Sequence, residues 1–169
     1  ISKDIWENFG NSNILYIFVA YLTIVAKTFK FEDSFGRILG VAHTSMFRHL
    51  SKLMKDQNLP ITPEQFSMLS HLWQKDGLHQ TELALCTNRN RANVTRILDI
   101  LERESIVERR DDANDRRVFR IYLTDKGKSL REATARCAEQ SIKDSLEGLT
   151  KDEIDTCIKV LLKIKSNVT

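Results

Sequence analysis

Apolar side chains recur at three- and four-residue steps along most of the chain. One such run covers residues 33–59 and stops before Pro60. Residues three and four apart share one face of a helix, so this period is typical of an amphipathic helix with one buried side. Runs of the same kind begin at Thr62, Gln80, Arg91, Thr124 and Thr150. The pattern predicts a mainly α-helical fold.

Capping residues mark where several of these helices begin. Thr62 can accept a hydrogen bond from the backbone of Gln65, and Pro63 suits the first helical position. We expect this helix to end at Asp76-Gly77. A second capping box, Thr150 to Glu153, is expected to open the last helix.

Two short helices, Gln80–Cys86 and Arg91–Arg103, are predicted with four residues between them. In that connection Asn88 tolerates the left-handed backbone of a tight reversal, and Asn90 is a favoured N-cap. This spacing predicts a helix-turn-helix. We expect the second helix to bury Val94, Ile97, Leu98 and Leu101, which leaves Arg91, Ala92, Asn93, Thr95 and Arg96 on its other faces.

The hydrophobic period changes to two after Ser105. Apolar residues at 106–107 and within 118–123 flank a polar loop, residues 111–115, which predicts a β-hairpin with a charged tip. A hairpin behind a helix-turn-helix predicts an α+β winged-helix fold within a mainly α protein. Helical periodicity then returns at Thr124, and we expect one helix through about Ser145 with Leu130, Ala133, Cys137, Ala138 and Ile142 on one side.

The net charge of +3 is too small to identify a partner, so the positions of the charges decide. Residues 88–96 contain three arginines and no acid. Free N–H groups at a helix start attract phosphate, and Arg91, Asn93 and Arg96 can make paired hydrogen bonds to guanine or adenine edges. The alternative interpretation is that these three arginines lie on a helix face that contacts only solvent. The adjoining turn and hairpin favour duplex DNA as the partner.

The hairpin region combines arginines with fewer aspartates. We expect Asp115 to pair with a nearby arginine, for which Arg117 is a candidate, and thereby to present Arg116 to a minor groove. Acids between the two basic clusters have Arg103 as their expected basic neighbour and should point away from DNA. The hairpin arginines are Arg109, Arg110, Arg116, Arg117 and Arg120, the aspartates are Asp111, Asp112 and Asp115, and the intervening acids are Asp99, Glu102, Glu104 and Glu108.

Several segments together resemble the MarR family of winged helix-turn-helix transcriptional regulators, over about residues 33–165. Departures are Asn88 and Ser105, where the family usually has glycine, and Thr87, where it usually has an apolar residue. With Ser105 in place of glycine, the sequence does not determine how the chain leaves the second helix. The matching segments are Gln80-Thr81-Glu82-Leu83-Ala84, Asn93-Val94-Thr95-Arg96-Ile97-Leu98-Asp99, Val107-Glu108-Arg109 and Asp115-x-Arg117-(x5)-Leu123-Thr124-x-x-Gly127.

The resemblance implies a sequence-specific regulator, expected to be a repressor, that forms an obligate homodimer on a pseudo-palindromic operator. Helix 91–103 would enter the major groove and hairpin 107–123 would reach the minor groove. Residues 1–32 would be an apolar extension, residues 33–59 and 125–169 a dimerisation domain, and residues 60–124 the DNA-binding domain. The implied DNA contacts are Gln80, Thr81, Arg89, Asn90, Arg91, Ala92, Asn93, Thr95, Arg96, Arg109, Asp115, Arg116 and Arg117.

Many proteins of this family release DNA when a small aromatic or apolar effector binds between the dimerisation and DNA-binding domains. The residues expected to line such a crevice are His43, Phe47, His71 and Trp73, for which plain core or surface positions are the alternative. Cys86 has two interpretations, a redox-active thiol or a small buried side chain, of which the second is preferred.

A run of thirteen mainly apolar residues, Ile14–Ala26, differs from the rest of the chain. It is shorter than the roughly 20 residues that span a bilayer. The acids Asp4 and Glu7 before it are unlike the basic start of a signal peptide. We expect a helix packed on a partner subunit or on the body of the protein, without a membrane. Membrane association and an extension with no simple role are the alternatives.

Other protein classes lack a matching pattern. Four histidines without an H-x-x-x-H pair, and no G-x-S-x-G or phosphate-binding glycine loop, argue against an enzyme. Three cysteines without a C-x-x-C pair indicate neither disulfides nor a metal site, and they fit a reducing cytoplasm. No cofactor is expected. A dimeric adaptor that does not bind DNA is the remaining alternative, and the acid-free residues 88–96 argue against it.

Overall fold

The computed structural model describes residues 34–113 and 118–168. By its internal contacts the chain divides into two units, residues 1–45 and 46–169. The described residues of the first unit form the start of α1. The elements in chain order are α1 (Phe35–Asp56), α2 (Pro63–Gln74), β1 (Leu78–His79), α3 (Gln80–Cys86), α4 (Arg91–Arg103), β2 (Val107–Asp111), β3 (Phe119–Leu123), α5 (Asp125–Ser129), α6 (Arg131–Ser145) and α7 (Lys151–Val168).

Residues that mark helix starts in the sequence cap the helices of the structure. Thr62 Oγ1 accepts the backbone N–H of Gln65 at 3.3 Å, and the Gln65 side chain accepts the N–H of Thr62 at 2.7 Å. Thr124 caps α5, and Thr150 caps α7. Each cap satisfies N–H groups that have no acceptor inside the helix. The predicted starts of α2 and of the last helix are confirmed.

β2 and β3 form the predicted hairpin, and β1 adds a third strand that the sequence pattern did not predict. The strand order is β1-β3-β2 with antiparallel pairing, which places Val107 opposite Leu123 and Leu78 opposite Ile121. β1 has two residues, too few for a period-two pattern to be recognised. Gly77, at φ 72°, turns the chain from α2 into β1. β1 therefore ties the start of the helix-turn-helix to the hairpin.

A hydrophobic cluster joins α2, α3 and α4 to the sheet. The four residues predicted for the inner face of α4 belong to it, and none of them is more than 4% exposed. Burying one Leu or Ile side chain contributes about 1.5–3 kcal/mol, so this face fixes the rotation of α4 about its axis. The buried members are Ile61, Met68, Leu69, Leu72, Leu78, Leu83, Ala84, Val94, Ile97, Leu98, Leu101, Ile106, Val107, Ile121 and Leu123.

Helices α1 and α7 bury little in the isolated chain. Met54 is the buried residue of α1, and no residue of α7 is buried. Apolar helix faces of this kind are typical of surfaces that another molecule or segment covers. The exposed large apolar side chains are Phe35, Ile38, Leu39, Val41 and Met46 in α1 and Ile158, Val160, Leu162 and Val168 in α7.

The single helix expected from Thr124 to about Ser145 is interrupted after its first turn. α5 ends at Ser129, and Leu130 keeps a helical backbone, φ −72° and ψ −18°, before α6 begins. Gly127 packs so closely on the backbone of Ile106 that a Cβ at position 127 would overlap the carbonyl oxygen of Ile106. This close packing holds α5 in place. The apolar period continues through the interruption, so the sequence pattern could not reveal it.

The inner face of α6 is more polar than the sequence predicts. Cys137 is buried as expected, and burial raises the pKa of its thiol. Thr134 and Ser141 are buried beside it, whereas Ile142, expected on the same face, is 52% exposed. The inner face is therefore narrower than predicted and is lined by small side chains.

The predicted helix at Ile14–Ala26 lies outside the described residues. Within the described ranges, no helix is long and apolar enough to cross a membrane. The division into an extension, a dimerisation domain and a DNA-binding domain remains a prediction.

Candidate nucleic-acid interface

The turn between α3 and α4 has the geometry that the sequence predicts. Asn88 has φ 51°, in the left-handed region. The backbone N–H of Arg89 donates to Ala84 O at 3.0 Å and closes the reversal. Thr87, where the family usually has an apolar residue, donates its hydroxyl to Leu83 O at 2.6 Å. Asn88 and Thr87 thus form a tight turn without the usual residues.

Ser105 settles the exit from α4. The helix ends at Arg103, and Ser105 has φ 56°, the left-handed conformation that glycine adopts most easily. The N–H of Ser105 donates to Glu102 O, and the N–H of Ile106 donates to Leu101 O, both at 2.8 Å. These bonds satisfy carbonyls at the helix end, so the chain leaves α4 as the family's glycine would direct it.

Asn90 caps the exposed start of α4. Its side-chain oxygen accepts the N–H of Asn93 at 2.9 Å, which confirms the predicted N-cap. The N–H groups of Arg91 and Ala92 lie in the first turn, where a helix offers no internal acceptor. Together with the positive end of the helix dipole they form a position suited to an anion such as phosphate.

Arg91 and Arg96 project from the solvent side of α4, and Arg89 precedes the helix in the turn. Arg91 and Arg96 are exposed, and Arg89 is half-buried. Among the described residues, none of these three side chains has an acidic partner. Asn93 and Thr95 are exposed nearby. We refer to residues 89–96 as the α4 surface.

Gln80 of α3 joins the α4 surface through Thr95. The Gln80 side-chain NH2 donates to Thr95 Oγ1 at 2.5 Å, and this hydroxyl donates to Arg91 O at 2.9 Å. Thr81 and Arg91 line the same two surface depressions, and the hairpin residue Phe119 lines one of them. The structure therefore brings the start of α3, the start of α4 and one strand of the hairpin together.

Glu82 holds the start of α3 in place. Its carboxylate accepts the N–H of His79 at 2.7 Å. This hydrogen bond is the main reason why the pKa of Glu82 is lowered. The ammonium of Lys75, 3.7 Å from the carboxylate, also lowers it.

Arg109, expected to contact DNA, is instead held by two acids of α4. Its Nη2 donates to Asp99 Oδ1 at 2.6 Å, and its Nη1 donates to Glu102. These acids therefore do not have Arg103 as their basic partner, contrary to the expectation from the sequence. Asp99 and Glu102 are three residues apart and share one face of α4, which was the available signal for a common partner.

Arg110 and Arg120 also have partners within the protein. The Arg110 guanidinium lies over the Tyr122 ring, 4.5 Å from its centroid. Arg120 donates to Asp112 Oδ2 at 2.5 Å, and His79 Nε2 lies 3.4 Å from the same oxygen. Asp112 is 4% exposed, so this cluster ties the hairpin to β1 from the inside.

The tip of the hairpin is the part of the expected interface that lies outside the described residues. It contains Asp115, Arg116 and Arg117. The pairing of Asp115 with Arg117 and the presentation of Arg116 remain predictions.

Trp73 has a structural role. Its indole N–H donates to Gly127 O at 3.0 Å, and its ring centroid is 6.2 Å from that of Phe66. Of the other three candidate effector contacts, His71 and Phe47 are half-buried, as Trp73 is, and His43 is exposed. A ligand contact by any of the four remains a prediction.

Cys86 is exposed, which corrects the preferred interpretation of a buried side chain. α3 buries Leu83 and Ala84 and turns its last residues outward, where Leu85 is 82% exposed. Within residues 34–113 and 118–168, no group of three His, Cys, Asp or Glu side chains could hold a metal ion.

Comparison with known proteins places this geometry in a family. Residues 61–119 match the MarR family model. The chain is 30% identical over 108 residues to the HTH-type transcriptional regulator YdgJ of Bacillus subtilis (strain 168), a match that covers 64% of this chain and 66% of YdgJ. It is 28% identical over 123 residues to the transcriptional repressor MprA of Escherichia coli (strain K12), covering 70% of this chain and 69% of MprA.

A solved structure agrees with these relatives. The S. aureus MepR–DNA complex superposes with a TM-score of 0.72 at 26% identity, covering 82% of this chain and 99% of MepR. The family model, over residues 61–119, covers the helix-turn-helix, β2 and the first residue of β3. The chain therefore belongs to the MarR family of transcriptional regulators.

Proposed function

We propose that the chain binds duplex DNA sequence-specifically and regulates transcription as a repressor, with the α4 surface in the major groove. The observation that carries this proposal is a set of three arginines at an exposed, capped helix start that have no acidic partner within residues 34–113 and 118–168. MepR, solved with DNA, supports DNA as the ligand, and the repressor MprA supports the direction of regulation.

The chemistry of the α4 surface suits the major groove, which is about 12 Å wide and admits one α-helix. Arg91 or Arg96 can donate two hydrogen bonds to guanine O6 and N7, and Asn93 can pair with the N6 and N7 edge of adenine. Each such pair discriminates against a wrong base by about 1–3 kcal/mol. The free N–H groups at the start of α4 and the guanidinium of Arg89 are placed to bind phosphate oxygens.

The proposed contact set is smaller than the set expected from the sequence. Arg109 is left out because Asp99 and Glu102 occupy its guanidinium. The hairpin tip stays in the proposal, with Arg116 at a minor groove. The set is Gln80, Thr81, Arg89, Asn90, Arg91, Ala92, Asn93, Thr95, Arg96, Asp115, Arg116 and Arg117.

We propose a homodimer as the DNA-binding form. The exposed apolar faces of α1 and α7 support it, because a second copy would remove them from water. Two copies of α4 related by a two-fold axis would enter successive major grooves about 34 Å apart, which requires a pseudo-palindromic operator.

A small aromatic or apolar effector that modulates DNA binding is also part of the proposal, with His43, Phe47 and His71 as its candidate contacts. Trp73 is the weakest candidate of the four because its indole N–H already donates to Gly127 O. The protein is proposed to act in the cytoplasm and to be a regulator without catalytic activity, since its relatives are transcriptional regulators.

A mobility shift with random duplex DNA, titrated with salt, tests the proposal. We expect binding at about 50 mM salt that weakens by about 10³ to 10⁵ at 200 mM, the loss typical of six to ten phosphate contacts. The double variant Arg89→Ala/Arg91→Ala should bind more weakly and with a smaller salt dependence. Arg131→Ala/Arg136→Ala removes the same charge from α6 and should bind like the wild type. Absence of binding at low salt, or binding that ignores salt, contradicts the proposal.

A further inference from the structure

Arg109 joins the hairpin to α4 through three donors. Its backbone N–H donates to Glu102 Oε1 at 3.2 Å, its Nη1 donates to Glu102 Oε2, and its Nη2 donates to Asp99 Oδ1 at 2.6 Å. Asp99 and Glu102 stand on α4, and Arg109 lies within β2. The contact therefore crosses from the helix proposed to read DNA to the first strand of the hairpin.

The arginine of this contact is more enclosed than in an ordinary surface ion pair, although the side chains of Asp99 and Glu102 are 57% and 39% exposed. The Arg109 side chain is 19% exposed, whereas the nearby pair of Arg103 and Glu104 is separated by 3.7 Å with the arginine 72% exposed. A planar guanidinium that donates to two carboxylates fixes direction as well as distance. Arg109 is therefore placed to set the orientation of β2 relative to α4.

The opposite strand of the hairpin is held separately. Arg120 of β3 donates to the buried Asp112 and, at 2.9 Å, to the carbonyl of Gly77 beside β1. The hairpin is thus attached on one side to α4 through Arg109 and on the other to β1 through Arg120.

We propose that Arg109 is a positioning residue for DNA recognition. It does not contact DNA but, with Asp99 and Glu102, sets the angle between α4 and the hairpin so that the two elements reach neighbouring grooves of one duplex. This inference rests on the proposed function. Two elements that enter separate grooves must keep their relative placement, since binding sites lose function when supporting contacts loosen by about 1 Å. This positioning role also explains why α4, the helix proposed to approach DNA phosphates, carries the acids Asp99 and Glu102.

Removal of the acids distinguishes positioning from simple electrostatics, because the two effects have opposite signs. If Asp99 and Glu102 were merely negative charges near DNA, neutralising them would strengthen binding. Neutralising them would also release Arg109, a further positive charge, toward phosphate. If the acids hold Arg109 and thereby the hairpin, neutralising them weakens binding.

The experiment compares Asp99→Asn/Glu102→Gln with Glu104→Gln, which removes one acid outside the Arg109 contact. Affinity for a duplex selected by the wild type is measured by fluorescence anisotropy, and methylation protection reports both grooves. We expect the double variant to bind on the order of tenfold more weakly. It should lose protection of adenine N3 in the minor groove and keep protection of guanine N7 in the major groove. Glu104→Gln should bind at least as tightly as the wild type.

Equal or tighter binding by the double variant, with minor-groove protection intact, overturns the inference and leaves the proposed function standing. If the wild type selects no duplex, the proposed function fails and the inference fails with it. Should the double variant unfold in a thermal melt, the charge exchange Asp99→Arg/Arg109→Asp decides. Recovery of affinity and minor-groove protection relative to Arg109→Asp supports positioning, and a folded exchange variant without recovery overturns it.

Discussion

Arginine side chains around α4 occupy two kinds of surroundings. Arg91 and Arg96 are exposed and have no acidic partner among the described residues, whereas Arg109 is bound to Asp99 and Glu102. An arginine without an acid keeps its charge and all its donors for phosphate or guanine. A paired arginine would first have to leave its partners, which makes it suited to holding the protein together.

Substitution of Arg96 should reduce both affinity and base discrimination. Loss of a paired contact to a base costs about 1–3 kcal/mol, which corresponds to about 5- to 150-fold in affinity for the selected site. Arg103→Ala removes the same charge from the far end of the same helix, where Arg103 lies 3.7 Å from Glu104, and should change affinity less than twofold. Fluorescence anisotropy with selected and random duplexes measures both effects. If Arg96→Ala and Arg103→Ala lose the same affinity for the selected duplex, Arg96 makes no specific contact to a base.

Glu82 should make the stability of the fold sensitive to acid. The hydrogen bond from His79 N–H lowers the pKa of Glu82 below the ordinary value of 4.5. The charged form is therefore favoured by folding, so its contribution is present above the ordinary pKa and is lost as the pH falls through the lower folded pKa. The melting temperature of Glu82→Gln should fall less steeply on acidification than that of the wild type.

Glu139→Gln is the control for this titration, because Glu139 is exposed on α6 and has no such bond to a helix start. It should follow the acid dependence of the wild type. If Glu82→Gln and the wild type show the same dependence of melting temperature on pH, Glu82 does not contribute to the acid sensitivity of the fold.

Helix starts and turns proved predictable because they depend on neighbours in the sequence. Asn90 caps α4 and Asn88 adopts the left-handed conformation as the residue types alone indicate. The buried side of α4 followed from the spacing of its apolar residues. The exposed side, with Arg91 and Arg96, was its necessary complement, so this part of the candidate site was also predictable.

Features that depend on contacts between distant positions of the chain could not be predicted from the sequence. Arg109 finds Asp99 ten positions away in another element, and a basic residue in a hairpin gives no sign of which acid it will meet. β1 exists because two residues pair with β3 across more than forty positions of the chain. Neither the interruption at Leu130 nor the packing of Gly127 on Ile106 is recorded in the local hydrophobic period.

The short helix α5 depends on the absence of a side chain at Gly127. A Cβ at this position would overlap the carbonyl oxygen of Ile106, so Gly127→Ala should destabilise the protein by about 1–3 kcal/mol. Gly36→Ala is the matched control, because a Cβ on Gly36 in α1 meets no atom within 4 Å. That variant should be neutral or more stable by about 0.5–1 kcal/mol. Denaturant titration measures both, and equal midpoints would contradict the close packing of α5.

Exposed apolar faces on α1 and α7 determine the expected assembly. Leu162 is 60% exposed on α7, and Leu162→Lys would place a charge in an interface formed by a second copy. We expect sedimentation to show a dimer for the wild type and a shift toward monomer for this variant. Leu85→Lys, on α3 where Leu85 is 82% exposed, should remain a dimer. A wild-type monomer at micromolar concentration would contradict the proposed assembly.

The most direct test is methylation protection of a duplex selected from random sequence by the wild-type chain. If a dimer inserts α4 into the major groove, guanine N7 should be protected in two half-sites whose centres lie about 10 base pairs, or a multiple of that, apart. Arg96→Ala should lose protection in both half-sites together. A selected duplex without N7 protection, or with protection in one site only, would contradict insertion of α4 by a dimer.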